Sequence, residues 1–115
     1  MSDIYTTAVD RVSHVAGVRG ALLVDIEAGV PVVSELSEGV NGTAVAALAA
    51  SLFRRTAEAS RSSHFGALGT LQLEADHGHV FVVDAGEMIL VVIATRDAQL
   101  GLVRLEAHRA AESLR

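Results

Sequence analysis

Residues 42–61 read GTAVAALAASLFRRTAEASR, a helical stretch with apolar or small side chains over more of its circumference than one contact surface requires. At about 100° per residue, Val45, Leu48, Ala49, Leu52 and Thr56 share one stripe, while Ala46, Ala50, Phe53 and Ala57 form a second about 100° further round. A helix resting on one surface needs a single stripe. The surplus predicts that the first stripe seats the helix on its own domain. The second, where alanines admit a close backbone, is expected to meet another helix.

The loop Glu38-Gly39-Val40-Asn41-Gly42 precedes this helix, with Asn41 or Thr43 placed to cap it, and the helical pattern runs to about Ser63. Upstream, Ile4, Ala8, Val12 and Val15 recur at helical spacing between Ser2 and about Ala16, with Gly17 as the expected C-cap. Arg19 to Ile26 contains the unbroken apolar run Ala21-Leu22-Leu23-Val24, the pattern of a strand covered on both faces. After the turn Glu27-Ala28-Gly29, Val30 to Leu36 reads as a second strand. Pro31 cannot donate a ladder hydrogen bond, which places that strand at a sheet edge.

Downstream, Thr70 to Ala75 alternates, with Leu71, Leu73 and Ala75 on one side and Thr70, Gln72 and Glu74 on the other, as in a second edge strand that lacks a proline. His79 to Asp84 and Met88 to Arg96 continue the meander across the turns at Asp76-His77-Gly78 and Asp84-Ala85-Gly86-Glu87. Their continuous apolar runs require helices on both faces of the sheet. Asp97 is the expected N-cap of a last helix with Leu100, Val103, Ala107, Ala111 and Leu114 inward. The order is α-β-β-α-β-β-β-α, a three-layer α+β sandwich in one domain over residues 1–115.

Composition narrows the function. All nine basic residues are arginine, none lies in a basic run, and the net charge is -5, which argues against nucleic acid as a partner. No cysteine is present, so thiol chemistry is excluded and a cytoplasmic setting is expected. No signal peptide pattern opens the chain. The longest strongly apolar run, Met88 to Ala94, has seven residues, against the roughly 20 that a spanning helix requires, so membrane insertion is not expected.

Without lysine there is no phosphate-binding loop, and no Gly-x-Gly-x-x-Gly occurs. His77-x-His79 beside Asp76 would hold a metal only with a third ligand, and turn residues explain the same spacing. Ser62-Ser63-His64 lacks the strained turn of a hydrolase nucleophile and reads as a helix end. Arg54, Arg55 and Arg61 have the chemistry of arginine fingers acting in trans, but a solvated helix face is the preferred account of them. No catalytic, cofactor or metal site is expected, and the chain is read as a non-enzyme.

Gly17-Val18-Arg19-Gly20-Ala21-Leu22-Leu23-Val24-Asp25, Gly29-Val30-Pro31-Val32, Ala46-Ala47-Leu48-Ala49-Ala50-Ser51-Leu52 and Leu100-Gly101-Leu102-Val103-Arg104-Leu105, in that order, resemble the Roadblock domain family, and within it most the bacterial MglB-type regulators of Ras-like GTPases. The resemblance implies a profilin-like sandwich with sheet order 2-1-5-4-3. It also implies a homodimer with third strands paired across a two-fold axis and second helices side by side. The implied partner is a Ras-like small GTPase whose nucleotide cycle the dimer regulates by accelerating hydrolysis, without contributing catalytic groups. A dimeric scaffold that changes no rate and a small-ligand sensor are the alternatives. The expected dimer interface is Ala46, Ala50, Phe53, Ala57, Leu71 and Leu73; the expected partner surface is Arg54, Glu58 and Arg61.

Overall fold

The computed structural model describes residues 3–115. Its elements in chain order are α1 (Ile4–Ser13), β1 (Val18–Asp25), β2 (Pro31–Leu36), α2 (Gly42–Ser62), β3 (Thr70–Ala75), β4 (Gly78–Asp84), β5 (Met88–Ala94) and α3 (Leu100–Glu112). All neighbouring strands pair antiparallel in the order β2-β1-β5-β4-β3, as the resemblance implies. The expected start of the first helix at Ser2 lies outside the described residues.

β1 and β5 occupy the middle of the sheet, and their continuous apolar runs follow from burial on both faces. Ala21, Leu23, Leu90 and Val92 turn toward α1 and α3, where Val9, Val12, Val103 and Ala107 complete one core. Leu22, Val24, Ile89 and Val91 turn the other way and meet α2. The two halves of the core are therefore read off alternate residues of the same strands.

Local chemistry sets the element ends. Asp3 caps α1 by accepting from the Thr6 amide at 2.8 Å. Asp25 accepts from the Ala28 amide at 2.9 Å and Gly29 has φ +67°, which together close the β1–β2 turn. Gly78, at φ +149°, backs onto the Ala94 carbonyl so closely that a Cβ would collide with it.

Two helix boundaries differ from expectation. α1 ends at a C-cap on His14, so Gly17, at φ +89°, sits in the connection to β1 instead of closing the helix. α3 begins after Gln99, not Asp97, and no side chain caps it. The Asp97 carboxylate is occupied instead by the Thr95 hydroxyl at 2.9 Å, inside a turn closed by the Ala98 amide on the Thr95 carbonyl. A residue with good capping chemistry was diverted to a local turn one step earlier.

The layers are unequal. α1 and α3 share one face of the sheet, with α3 over β4 and β5, while α2 alone covers the other, lying over β1, β2 and β5. Five strands spaced about 4.8 Å apart are roughly twice as wide as one helix of about 10 Å. On that side α2 meets β4 at Val82, and Leu71 of β3 lies at the margin of the same cluster.

Candidate functional site

α2 is built from its caps inward. Asn41 accepts from the Ala44 amide at 3.1 Å, and at the other end the Ser63 hydroxyl bonds the Ala59 carbonyl at 2.7 Å. Between them Ala46, Ala49, Ala50, Phe53 and Ala57 are buried against Leu22, Val24, Val82, Ile89 and Val91 of the chain's own sheet. This overturns the expected roles of the two stripes. Ala46, Ala50, Phe53 and Ala57 were assigned to an interface with another chain, and all four lie inside this one. Leu48, expected to hold the helix to its sheet, is 48% exposed. The physical reason lies under the helix: the strands already project large side chains there, so small residues let the helix settle close and leucines are displaced to its flank.

The flank carrying Leu48, Leu52 and Val45 runs along one side of α2. The opposite flank is fixed by Gly29, where an added Cβ would touch Ala50 and Ala47 at 3.6 and 3.7 Å, so that side overlooks the β1–β2 turn. Leu48 sits about 150° round from the buried alanines and points away from the sheet, while Val45 and Leu52, both half-buried, lie toward β4 and β3. There, Leu71 and Val80 are half-buried and Leu73 is 36% exposed. Leu71 pairs with Val82 and Leu73 with Val80, so these side chains share the α2 face. A groove of about 410 Å³ opens at the end of this surface, over Ala75, Val80 and Ile93. Leu71 and Leu73 lie on β3, an edge strand of the sheet.

Arg54, Glu58 and Arg61, expected to face a partner, line a groove of about 310 Å³ on the opposite flank with Ile26 and Glu27, floored by Phe53 and Ala57. The structure brings all three together. Arg54 is held in place by its Nη1, which donates to the Ile26 carbonyl. Two guanidinium groups alternate here with two carboxylates, a pattern for polar recognition and not for binding a single strong charge.

No reactive constellation competes with these surfaces among the described residues. His77 is exposed in its turn while His79 is buried, with Nδ1 lacking a hydrogen-bond partner, and no group of three His, Cys, Asp or Glu is placed to hold a metal ion. Ser63 is the C-cap of α2 and His64 takes a left-handed φ of 69°, as a helix end requires. Among the described residues two titrations are displaced, at the two caps of α1. Asp3 lies below the usual carboxylate range because it accepts from the Thr6 amide. His14 is raised because its Nδ1 bonds the Asp10 carbonyl at 2.7 Å, assisted by the carboxylates of Asp10 and Glu35. Among the described residues, no helix is long and apolar enough to cross a membrane.

An antiparallel five-stranded sheet in this order, with two helices on one face and one on the other, makes a three-layer α+β sandwich. The Roadblock/LC7 domain profile matches residues 4–94, and the chain belongs to that family. An uncharacterized protein of Methanocaldococcus jannaschii is 32% identical over 111 residues, covering 93% of this chain and 96% of its own. The structure of Myxococcus xanthus MglB superposes with a TM-score of 0.85 at 23% identity, over 96% of this chain and 90% of that one. A structure described as MglB with a tetrameric arrangement superposes at 0.84 with 24% identity, over 99% and 89%. At those identities the two superpositions establish the shared fold.

Proposed function

We propose that this protein is a homodimeric Roadblock regulator that binds a Ras-like small GTPase and accelerates its hydrolysis of GTP, without supplying a catalytic group of its own. The observation that carries the reading is the outer edge of β3, which has no further strand beside it in the sheet and carries Leu73, 36% exposed. An unprotected strand edge is a ready site for pairing with another chain. A two-fold copy of the same chain covers such a surface with matching chemistry. The structure of MglB with a tetrameric arrangement lends support, since it is an assembly of chains with this fold.

The groove formed by Arg54, Glu58 and Arg61 is the GTPase-facing surface in this reading. Its polar, mixed-charge rim suits a reversible contact better than a permanent one. A regulator of this type acts by rearranging the GTPase's own residues.

The test is GTP turnover by small GTPases encoded beside this chain, measured with and without it. Acceleration of about tenfold or more, lost on Arg61→Glu, supports the proposal. Stable binding with unchanged turnover would establish the scaffold reading instead, and absence of both binding and turnover effect would overturn the GTPase assignment.

A further inference from the structure

Two helix surfaces of this chain carry opposite charges in the same order, and both face away from its own core. On α2, Arg54, Glu58 and Arg61 rim the groove floored by Phe53 and Ala57. On the outer side of α3, Leu105, Arg109 and Glu112 form one exposed stripe, roughly opposite the buried Val103, Ala107 and Ala110. Arg109 donates to Glu106 at 3.0 Å, yet its side chain remains 57% exposed. Among the described residues, Glu58, Arg61 and Glu112 make no ion pair.

We propose that the α2 groove receives the outer face of α3 from another copy of this chain, the two helices running parallel with Arg109 on the partner's Glu58 and Glu112 on the partner's Arg61. The spacing is the same on both sides: Leu105, Arg109 and Glu112 stand four and three residues apart, as do Arg54, Glu58 and Arg61. Residues so spaced follow one side of a helix at equal rise, so both charge pairs form together. Leu105, 47% exposed, is then carried level with Arg54, onto the apolar floor of Phe53 and Ala57. Arg54 leaves that floor open, because its guanidinium is drawn to the Ile26 carbonyl. Other alignments do worse. A slip of three residues sets Glu58 against Glu106 and Arg61 against Arg109, and the opposite slip sets Glu58 against Glu112. Antiparallel helices bring Arg61 to Glu106, whose side chain is only 18% exposed and already bonded to Arg109.

The two surfaces differ, so the contact is heterologous: each copy keeps a groove free on one side and an α3 face free on the other, and association continues or closes into a ring. It uses neither edge of the sheet and is independent of the dimer proposed above. Exposed ion pairs contribute little each, so it forms at high concentration, on the order of 100 µM and above, and weakens with salt. The groove is also the GTPase-facing surface, and, resting on that reading, a copy seated in it excludes the GTPase. Crowded together, the regulators mask one another.

Sedimentation of the full chain from about 10 µM to about 1 mM, in low salt and in roughly 0.5 M salt, tests the contact. The mass should rise beyond that of the species present at the lowest concentration, and salt should reverse the rise. Glu58→Arg and Arg109→Glu should each weaken this association at least about fivefold, since an attraction becomes a repulsion. The chain carrying both should recover most of it, because the pair is restored with its signs exchanged. Glu58 and Arg109 are exposed, so unchanged circular dichroism is expected of all three variants. No rise in mass up to the highest concentration would overturn the contact, and so would a rise that neither reversal weakens or that the combined chain does not recover. Masking is read separately. Arg109→Glu leaves the groove intact, so at high concentration it should bind a neighbouring-encoded GTPase at least about twofold more tightly than the unaltered chain. Equal binding would overturn the masking alone, and a lack of any GTPase binding would overturn the GTPase reading and the masking while the sedimentation result still decides the contact.

Discussion

The two edges of the sheet are closed by different means. At β2, Pro31 supplies no N–H, and the missing donor is the outward one: it shares its peptide with the Val30 carbonyl, which is taken by the Asp25 amide at 3.0 Å. A register shift between Leu23 and Val24 disturbs the same end of the ladder, and both α1 and α2 lie over β2. At β3 none of these devices is present. Its outward groups are intact, its ladder is regular, and on its α2 face Leu71 is only half-buried and Leu73 is exposed. The chain prevents strand addition on one side and leaves it open on the other, so an interface can be located by asking where edge protection is missing.

The largest expected effect comes from disturbing what both edges depend on, the seating of α2. Ala50 is fully buried, 3.6 Å from the Cβ position at Gly29, so Ala50→Arg forces a charge and extra volume between helix and sheet. A loss of about 3 kcal/mol or more is expected, a fall in melting temperature of roughly 10 °C or more. If the melting temperature held while the dimer came apart, the helix would present its alanines to another chain after all.

Next in size is the exchange of the two edges' chemistry. Gln72→Pro removes one outward donor of β3 and leaves the β4 ladder untouched, just as Pro31 does in β2. The mass in solution should fall from dimer to monomer at micromolar concentration with unchanged far-ultraviolet circular dichroism. The reciprocal Pro31→Thr restores a donor to β2 while α1 and α2 still lie over it, and the mass should stay that of a dimer. Growth into larger assemblies would mean that Pro31 alone restrains that edge.

Much of this contrast was legible before any coordinates. Pro31 announces its edge, and the alternation from Thr70 to Ala75 announces the other, because both are properties of a strand's own residues. The facing of α2 was not legible. A helical wheel shows two apolar stripes and cannot say which one meets the sheet, since that depends on the size of side chains contributed by Leu22, Val24, Ile89 and Val91, distant in sequence. Reading the larger residues as core was the error: where the sheet fills the space, the helix contributes alanine. Arg54, Glu58 and Arg61 line one groove because they share one helix flank, which periodicity does encode. Asp97 misled for a local reason, its carboxylate being taken by Thr95 before it could cap.

The smallest effect separates the edges by pH. His14 stands beside β2, its Nδ1 bonded to the Asp10 carbonyl with Asp10 Oδ1 at 3.7 Å and Glu35 nearby, and these acceptors raise its pKa. A folded imidazole that holds its proton more tightly than the unfolded chain does stabilises the fold fully below its ordinary value of about 6.5. That contribution is lost as pH rises through the raised folded value. His14→Ala should therefore lower the melting temperature slightly near pH 5 and leave it unchanged near about pH 9. The group is fully exposed, so salt should shrink the difference further. The dimer mass should not respond to this substitution at either pH, because His14 lies at the end of α1 near β2, four strands across from β3. A change in mass would show that the β2 edge takes part in assembly, and the division of labour between the two edges would fail.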